Sequence, residues 1–330
     1  MNMLKFLVVG ATGHVGSQVA IRLANMGHDV RALVRQKGSR IRDPYEGKIT
    51  YLTGELGDEA SLRNAVAGID VVISTANGVV PQHNGGDAGN VNRSALSLIR
   101  ICEEAGVKRF IQSSVPTYAR EEHVPELRGK RLLEQRLAES PMQSIIIRNP
   151  AFMDVFIVFA GFLQAQEKSL HATTKRQYGF GKMWLGMVGN LVEKYGMLIA
   201  PGGASHGSPM IATRDVAEML VGGALYEGDD NLLIEAGGPQ WLTWQEIAEI
   251  IAQKTGRTKI TIIPLPAWVP RLNQALARPF SAAVANTFAL MSFVADYQPR
   301  WTPDRAIEIL KLPPQLTLSD YLAANYRGPK

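Results

Sequence analysis

Along the first 150 residues, short apolar runs alternate with segments whose apolar residues recur every three or four positions. The runs at 6–9, 29–34, 49–52, 71–74, 109–112 and 144–148 have the length of strands, and 15–26, 59–67, 91–105 and 129–138 have helical periodicity. Parallel strands need crossover connections, so this strict alternation predicts an α/β fold built on a doubly wound parallel sheet. After Pro150 the pattern loosens. The segment 151–166 reads as a helix, with Phe152, Phe156, Phe159 and Leu163 along one side. Residues 167–210 are rich in Gly, Lys and Met and show no assignable period. Met210 and Ile211 read as a short strand, Thr213 as the N-cap of a helix, and 243–252 as a helix closed by a Thr243–Glu246 capping box. A strand is expected at 260–264 and a last helix from 303.

Composition changes this picture little. The 330 residues are 46% hydrophobic and 20% charged, which is ordinary for a globular protein that buries a core without staples. The single cysteine, Cys102, cannot form an intramolecular disulfide, and no Cys/His group has metal-ligand spacing. No metal is expected, and a reducing, cytoplasmic setting is. The apolar run at 4–9 stops at Gly10 and reads as a buried strand rather than a signal peptide. No stretch of about 18 apolar residues occurs, so no integral membrane segment is expected. The net charge of +5 invites a nucleic-acid reading, but the cations are scattered and no DNA-binding motif accompanies them. No nucleic-acid partner is expected.

The chemistry-bearing pattern follows the first strand: Gly10-Ala11-Thr12-Gly13-His14-Val15-Gly16, then a helix. Gly10 permits a tight turn, Gly13 lets backbone amides approach a pyrophosphate, and Gly16 lets the helix pack on the strand. The helix N-terminus adds unpaired N–H groups and the positive end of a dipole. Residues 1–150 are therefore read as a Rossmann domain, and 151–330 as a smaller C-terminal α/β substrate lobe interwoven with it. The second strand ends at Arg35, with Lys37 and Arg40 nearby and no carboxylate before Asp43. A cation there suits a 2′-phosphate, which points to NADP(H), with NAD(H) as the alternative if these are merely solvated loop cations.

These residues resemble a known family. Gly-Ala-Thr-Gly-x-x-Gly, Leu33-Val34-Arg35, Gly54-Glu55, Phe110 to Ser114, Ile147 to Pro150 and Gly237-Gly238-Pro239 are similar to the atypical, NmrA-like short-chain dehydrogenase/reductases. The resemblance implies that Gly10, Thr12, Gly13, His14, Val15 and Gly16 meet the pyrophosphate, and that Arg35 and Lys37 meet the 2′-phosphate. It places Glu55 and Leu56 at the adenine, and Thr75, Ala76, Asn77, Lys130 and Pro150 near the ribose and nicotinamide. The usual chemistry in such proteins is a Ser, with a Tyr four residues before a Lys whose charge lowers the phenol pKa. Ser114 and Lys130 stand at the serine and lysine positions, but the residue four before Lys130 is Glu126. Three readings stay open: Lys130 works without a tyrosine, Tyr118 supplies the phenol, or the site holds the cofactor without chemistry. Phe152, Met153, Phe156 and Tyr178 are candidates for the lining of a pocket for an apolar small-molecule substrate. The expected activity is reduction of an apolar or aromatic carbonyl or enone. The alternatives are a non-catalytic redox sensor or assembly protein and, more weakly, a sugar-nucleotide epimerase. The apolar segments 180–200 and 282–294 suggest a homodimer face or a membrane-surface contact.

Overall fold

The computed structural model describes residues 3–77, 88–176, 179–298, 303–326 and 328. Its first half runs β1 (Lys5–Val9), α1 (His14–Asn25), β2 (Asp29–Val34), β3 (Ile49–Thr53), α2 (Glu59–Val66), β4 (Val71–Ser74), α3 (Ala88–Glu104), β5 (Arg109–Ser114), α4 (Pro125–Ala138) and β6 (Gln143–Arg148). The second half continues with α5 (Met153–Phe159), α6 (Gly179–Val188), α7 (Leu191–Tyr195), β7 (Met197–Pro201), β8 (Gly207–Ser208), α8 (Thr213–Ala224), β9 (Leu232–Glu235), β10 (Leu242–Thr243) and α9 (Trp244–Thr255). It closes with β11 (Thr261–Leu265), α10 (Trp268–Ala277), α11 (Ala282–Val294), α12 (Pro303–Leu310) and α13 (Leu318–Asn325).

Seven strands form one sheet in the order β3-β2-β1-β4-β5-β6-β9, every neighbouring pair parallel. Because strand side chains alternate, β1 serves two cores. Phe6 and Val8 pack with Val19 and Leu23 of α1 and Val216 and Leu220 of α8. Leu7 and Val9 pack with Leu62 of α2, Leu98 of α3 and Leu133 of α4. Burial on both faces explains why the strands read as continuous apolar runs. The chain order reverses between β1 and β4, which opens a crevice at the C-terminal ends of these strands, where such sheets bind ligands.

The second half departs from the sequence reading in specific ways. The helix expected over 151–166 ends at Phe159, because Gly161 takes φ +116° and a 3-10 turn over Leu163–Ala165 follows. The strand expected at Met210–Ile211 is a single bridge to Phe152. Ala212, not Thr213, is the N-cap of α8, since the Thr213 hydroxyl is spent on Asp154. The helix expected from Gly129 starts a turn earlier, with Pro125 in its first turn, where a missing N–H costs nothing. The capping box of Thr243 and Glu246 on α9 is present as expected. The last strand of the large sheet, β9, belongs to the second half of the chain, and a separate core gathers Phe162, Trp244, Ile247, Ile251 and Tyr321.

Candidate active site

The glycine loop is tight enough to exclude side chains. Gly10 has φ +83°, and a Cβ there would lie 2.7 Å from Thr75 Oγ1. A Cβ on Gly16 would lie 2.3 Å from the Gly10 carbonyl oxygen, which already accepts the Gly13 N–H at 2.7 Å. The Thr75 hydroxyl in turn donates to the Val9 carbonyl at 3.0 Å, so the loop and the end of β4 are locked together. Gly13 is the N-cap of α1 and offers no side chain to the first-turn amides. The N–H groups of His14, Val15 and Gly16 lack intrahelical acceptors and mark an anion site at the crevice. These residues suit a dinucleotide pyrophosphate: a backbone cradle that any Cβ would fill, at the positive end of a helix.

A segment with no sequence signature covers this loop. The Thr12 carbonyl accepts from His171 Nδ1 at 2.8 Å and from the Arg176 guanidinium at 2.5 Å. The Arg42 backbone N–H donates to His171 Nε2, so the proton that reaches Thr12 sits on Nδ1. The His14 side chain turns away from those amides: it is buried, and its Nε2 lies 2.5 Å from Glu167 and 3.5 Å from Asp154. The ligand atoms of His14, Asp154 and Glu167 lie within 4.8 Å of one another. The His14–Glu167 separation is a direct hydrogen bond, and both Asp154 oxygens accept from Thr213. Burial pushes the Asp154 carboxyl above the usual carboxylate range, with the nearby Glu167 adding to the shift and His14 opposing it.

At the end of β2, Arg35 and Lys37 are exposed. Beside them, a crevice of 270 Å³ is lined by Thr12, Ser39, Arg40, Arg42, Leu170 and His171. Arg40 also stacks on Tyr51, 4.9 Å from the ring centre. Glu55 is exposed, while Leu56 packs against the core under α2 and α3. A larger crevice of 700 Å³ lies at the opposite edge of the sheet, beside Asp70, Lys108 and Gln143. Ligands of open α/β sheets bind at the C-terminal edge, so the glycine loop and not this crevice locates the site.

Lys130 points into the interior. It is 2% exposed, donates to the Ala76 carbonyl at 2.7 Å and lies 3.9 Å from Glu126 Oε1 one turn earlier. Burial pulls the Lys130 ammonium below the usual lysine range, and the carboxylates of Glu126 and Glu134 oppose that shift. Ala76 adjoins Thr75, which touches Gly10, so the ammonium reaches the strand end beside the glycine loop. Glu126 also accepts from Asn92 at 3.2 Å. It therefore stands in the tyrosine position as an ion-pair partner of the lysine. Asn77 is exposed at the same strand end, and Pro150 is buried at the end of β6.

Ser114 and Tyr118 are engaged elsewhere. The Ser114 hydroxyl donates to Glu134 at 2.6 Å, and Glu134 also meets Arg131 and Arg148, which extends to Glu235. The Tyr118 hydroxyl donates to Asp296 at 2.7 Å, and its ring packs edge-on against Phe293. Burial and the Asp296 carboxylate raise its pKa, the opposite of what a proton-shuttling phenol needs near neutrality. Met153 is buried in the second core, Phe152 packs on the main core, and Phe156 is half-buried between two clusters. Tyr178 lies outside the described residues.

Burial pushes the Glu134 carboxyl upward, but hydrogen bonds from Arg148 and Ser114 and the Arg131 charge outweigh it, leaving the group below the usual range. A depressed carboxylate stabilises the fold fully above its unfolded pKa of about 4.3 and loses that contribution as pH falls through the folded value. Glu134→Gln is thus expected to cost about 3 kcal/mol at neutral pH, with the gap to the parent closing below about pH 4. Denaturant melts across that pH range check this. A gap that stays constant contradicts it.

The doubly wound sheet and its glycine loop define a Rossmann-type α/β protein. More narrowly, the chain belongs to the NmrA-like family, which matches it over residues 3–322. Among relatives, it is 25% identical to the chloroplastic protein High Chlorophyll Fluorescence Phenotype 244 of Arabidopsis thaliana, over 83% of this chain and 61% of the other. An isoflavone reductase homolog of Zea mays is 39% identical over 33% of this chain and 34% of its own. The chain thus spans about three-fifths of the chloroplast relative's length and about a third of the reductase's. The fold is shared with the Citrobacter sp. triphenylmethane reductase crystallised with NADP(H), at a TM-score of 0.68 and 15% identity over 97% of this chain and 100% of that one. It is also shared with an NADPH-dependent quinone oxidoreductase from Escherichia coli, at a TM-score of 0.65 and 15% identity over 98% and 100% of the two chains.

Proposed function

We propose that this protein binds NADP(H) across the glycine loop and reduces an apolar carbonyl or enone, such as a quinone or aromatic ketone. The observation that carries the reading is Lys130, a buried ammonium at the strand end that touches Gly10, with a pKa lowered by burial. The amides at the start of α1 would hold the pyrophosphate, and Arg176, already on the Thr12 carbonyl, would add a guanidinium beside it. Arg35, Arg40 and Arg42 would receive the 2′-phosphate. The reduced dinucleotide, when bound, supplies a hydride equivalent to the substrate carbon. Lys130 would donate a proton to the substrate oxygen, and the neighbouring Glu126 carboxylate would favour its reprotonation from solvent. Phe156 remains the candidate for the apolar side of the pocket, with Phe152 and Met153 acting through packing. The triphenylmethane and quinone reductases that share the fold support an apolar, ring-containing substrate.

A second reading is favoured by two observations, the engagement of Ser114 by Glu134 and the presence of Glu126 at the tyrosine position. In that reading the protein reports cofactor state to a partner and does no chemistry. Steady-state NADPH oxidation with a panel of quinones, aromatic ketones and enones separates the two. Turnover of at least one class is expected. Silence across the panel, with NADPH affinity intact, would replace the reductase by the sensor.

A further inference from the structure

We propose that α10 and the turn after it form a docking surface for an anionic lipid bilayer. Trp268, Leu272 and Leu276 are 63%, 53% and 61% exposed, and Phe280 beyond the helix end is 89% exposed. Spacing by four on a helix drifts only about 40° per step, so the first three side chains share one face. The opposite face holds the helix to the body of the protein. Pro270 is buried there, and Gln274 donates to the His123 carbonyl at 2.9 Å. A row of large apolar side chains turned to water on a fixed helix marks an interaction surface.

Charge selects the occupant. From Pro266 to Ala295, through α10, the turn after it and α11, the chain contains no Asp or Glu, and it carries Arg271 and Arg278. Arg271, paired with Asp296, lies between Trp268 and Leu272, and the exposed Arg278 stands between Leu276 and Phe280 just past the helix end. Two copies meeting through this face would bring their Arg278 cations together with no carboxylate in α10 or the turn after it to receive them, which disfavours self-association. Phosphodiester head groups supply the missing anions, and Trp268 and Phe280 at the two ends suit the boundary between head groups and acyl chains. No helix among the described residues is long and apolar enough to cross a membrane, so the contact is peripheral. It stands independently of the cofactor site.

Flotation of the full chain with vesicles of phosphatidylcholine, alone or with a third phosphatidylglycerol, tests this. Binding at least about tenfold stronger to the anionic vesicles is expected, and weakening with salt. Leu272→Glu combined with Phe280→Glu should lower that binding about tenfold or more while circular dichroism and thermal midpoint stay at parental values, since both side chains are exposed. No binding, equal binding to both vesicles, or binding unchanged in the double variant overturns the proposal. A stable solution dimer that the double variant dissociates also overturns it, by assigning the face to a second copy.

Discussion

Gly16→Ala is expected to lower NADPH affinity about a hundredfold or more and to destabilise the fold by about 1–3 kcal/mol. The new methyl would stand 2.3 Å from the Gly10 carbonyl oxygen and 2.7 Å from Thr75 Oγ1. Neither atom can yield cheaply. The carbonyl accepts the Gly13 N–H at 2.7 Å, and the hydroxyl donates to Val9 at 3.0 Å. Relief must therefore come from moving the first turn of α1, whose amides are the proposed pyrophosphate ligands. Gly57→Ala is the control, because a Cβ there meets nothing within 4 Å. It should change stability by no more than about 0.5 kcal/mol. Calorimetric titration and denaturant melts of both variants give the comparison, and parental NADPH binding by Gly16→Ala would contradict the loop geometry.

The second large effect concerns the pair at the tyrosine position. Lys130→Met should cost about 3–5 kcal/mol, because it leaves Glu126, fully buried, without its cation. Adding Glu126→Leu should restore most of that loss, since replacing both members of a buried pair by apolar groups is often neutral. Turnover should not return with stability. The double variant is expected to keep NADPH affinity within about fivefold while its kcat falls about a hundredfold or more. That split separates a proton donor from a purely structural lysine. A double variant as unstable as the single one would show that the 3.9 Å approach of the two groups contributes little.

The sequence announces the sheet and the loop because their physics is local. β1 is a buried run that stops at a glycine with positive φ, and α1 begins without a side-chain cap, all within a dozen residues. The Glu126–Lys130 spacing is equally visible as i, i+4, although what it does is not. Seen from sequence it marks an absent tyrosine, and the buried ion pair emerges only when α4 packs against β4 and α3. Arg176, His171 and Glu167 carry no period at all. They reach the glycine loop through 3-10 turns and through bonds spanning more than 150 positions in Arg176 and Glu167, which no window of sequence contains. Edge strand β9 is hidden because only Ile234 of its four residues is buried, which leaves no apolar run to read. The apolar helix over 282–294 spends Ala289 and Phe293 on the core beside Tyr118, while α10 turns Trp268, Leu272 and Leu276 to solvent.

Titration of the purified protein with NADPH and with NADH in a calorimeter tests the central claim most directly. The account predicts saturable one-to-one binding of NADPH, tighter than NADH. No heat of binding with either coenzyme would contradict it.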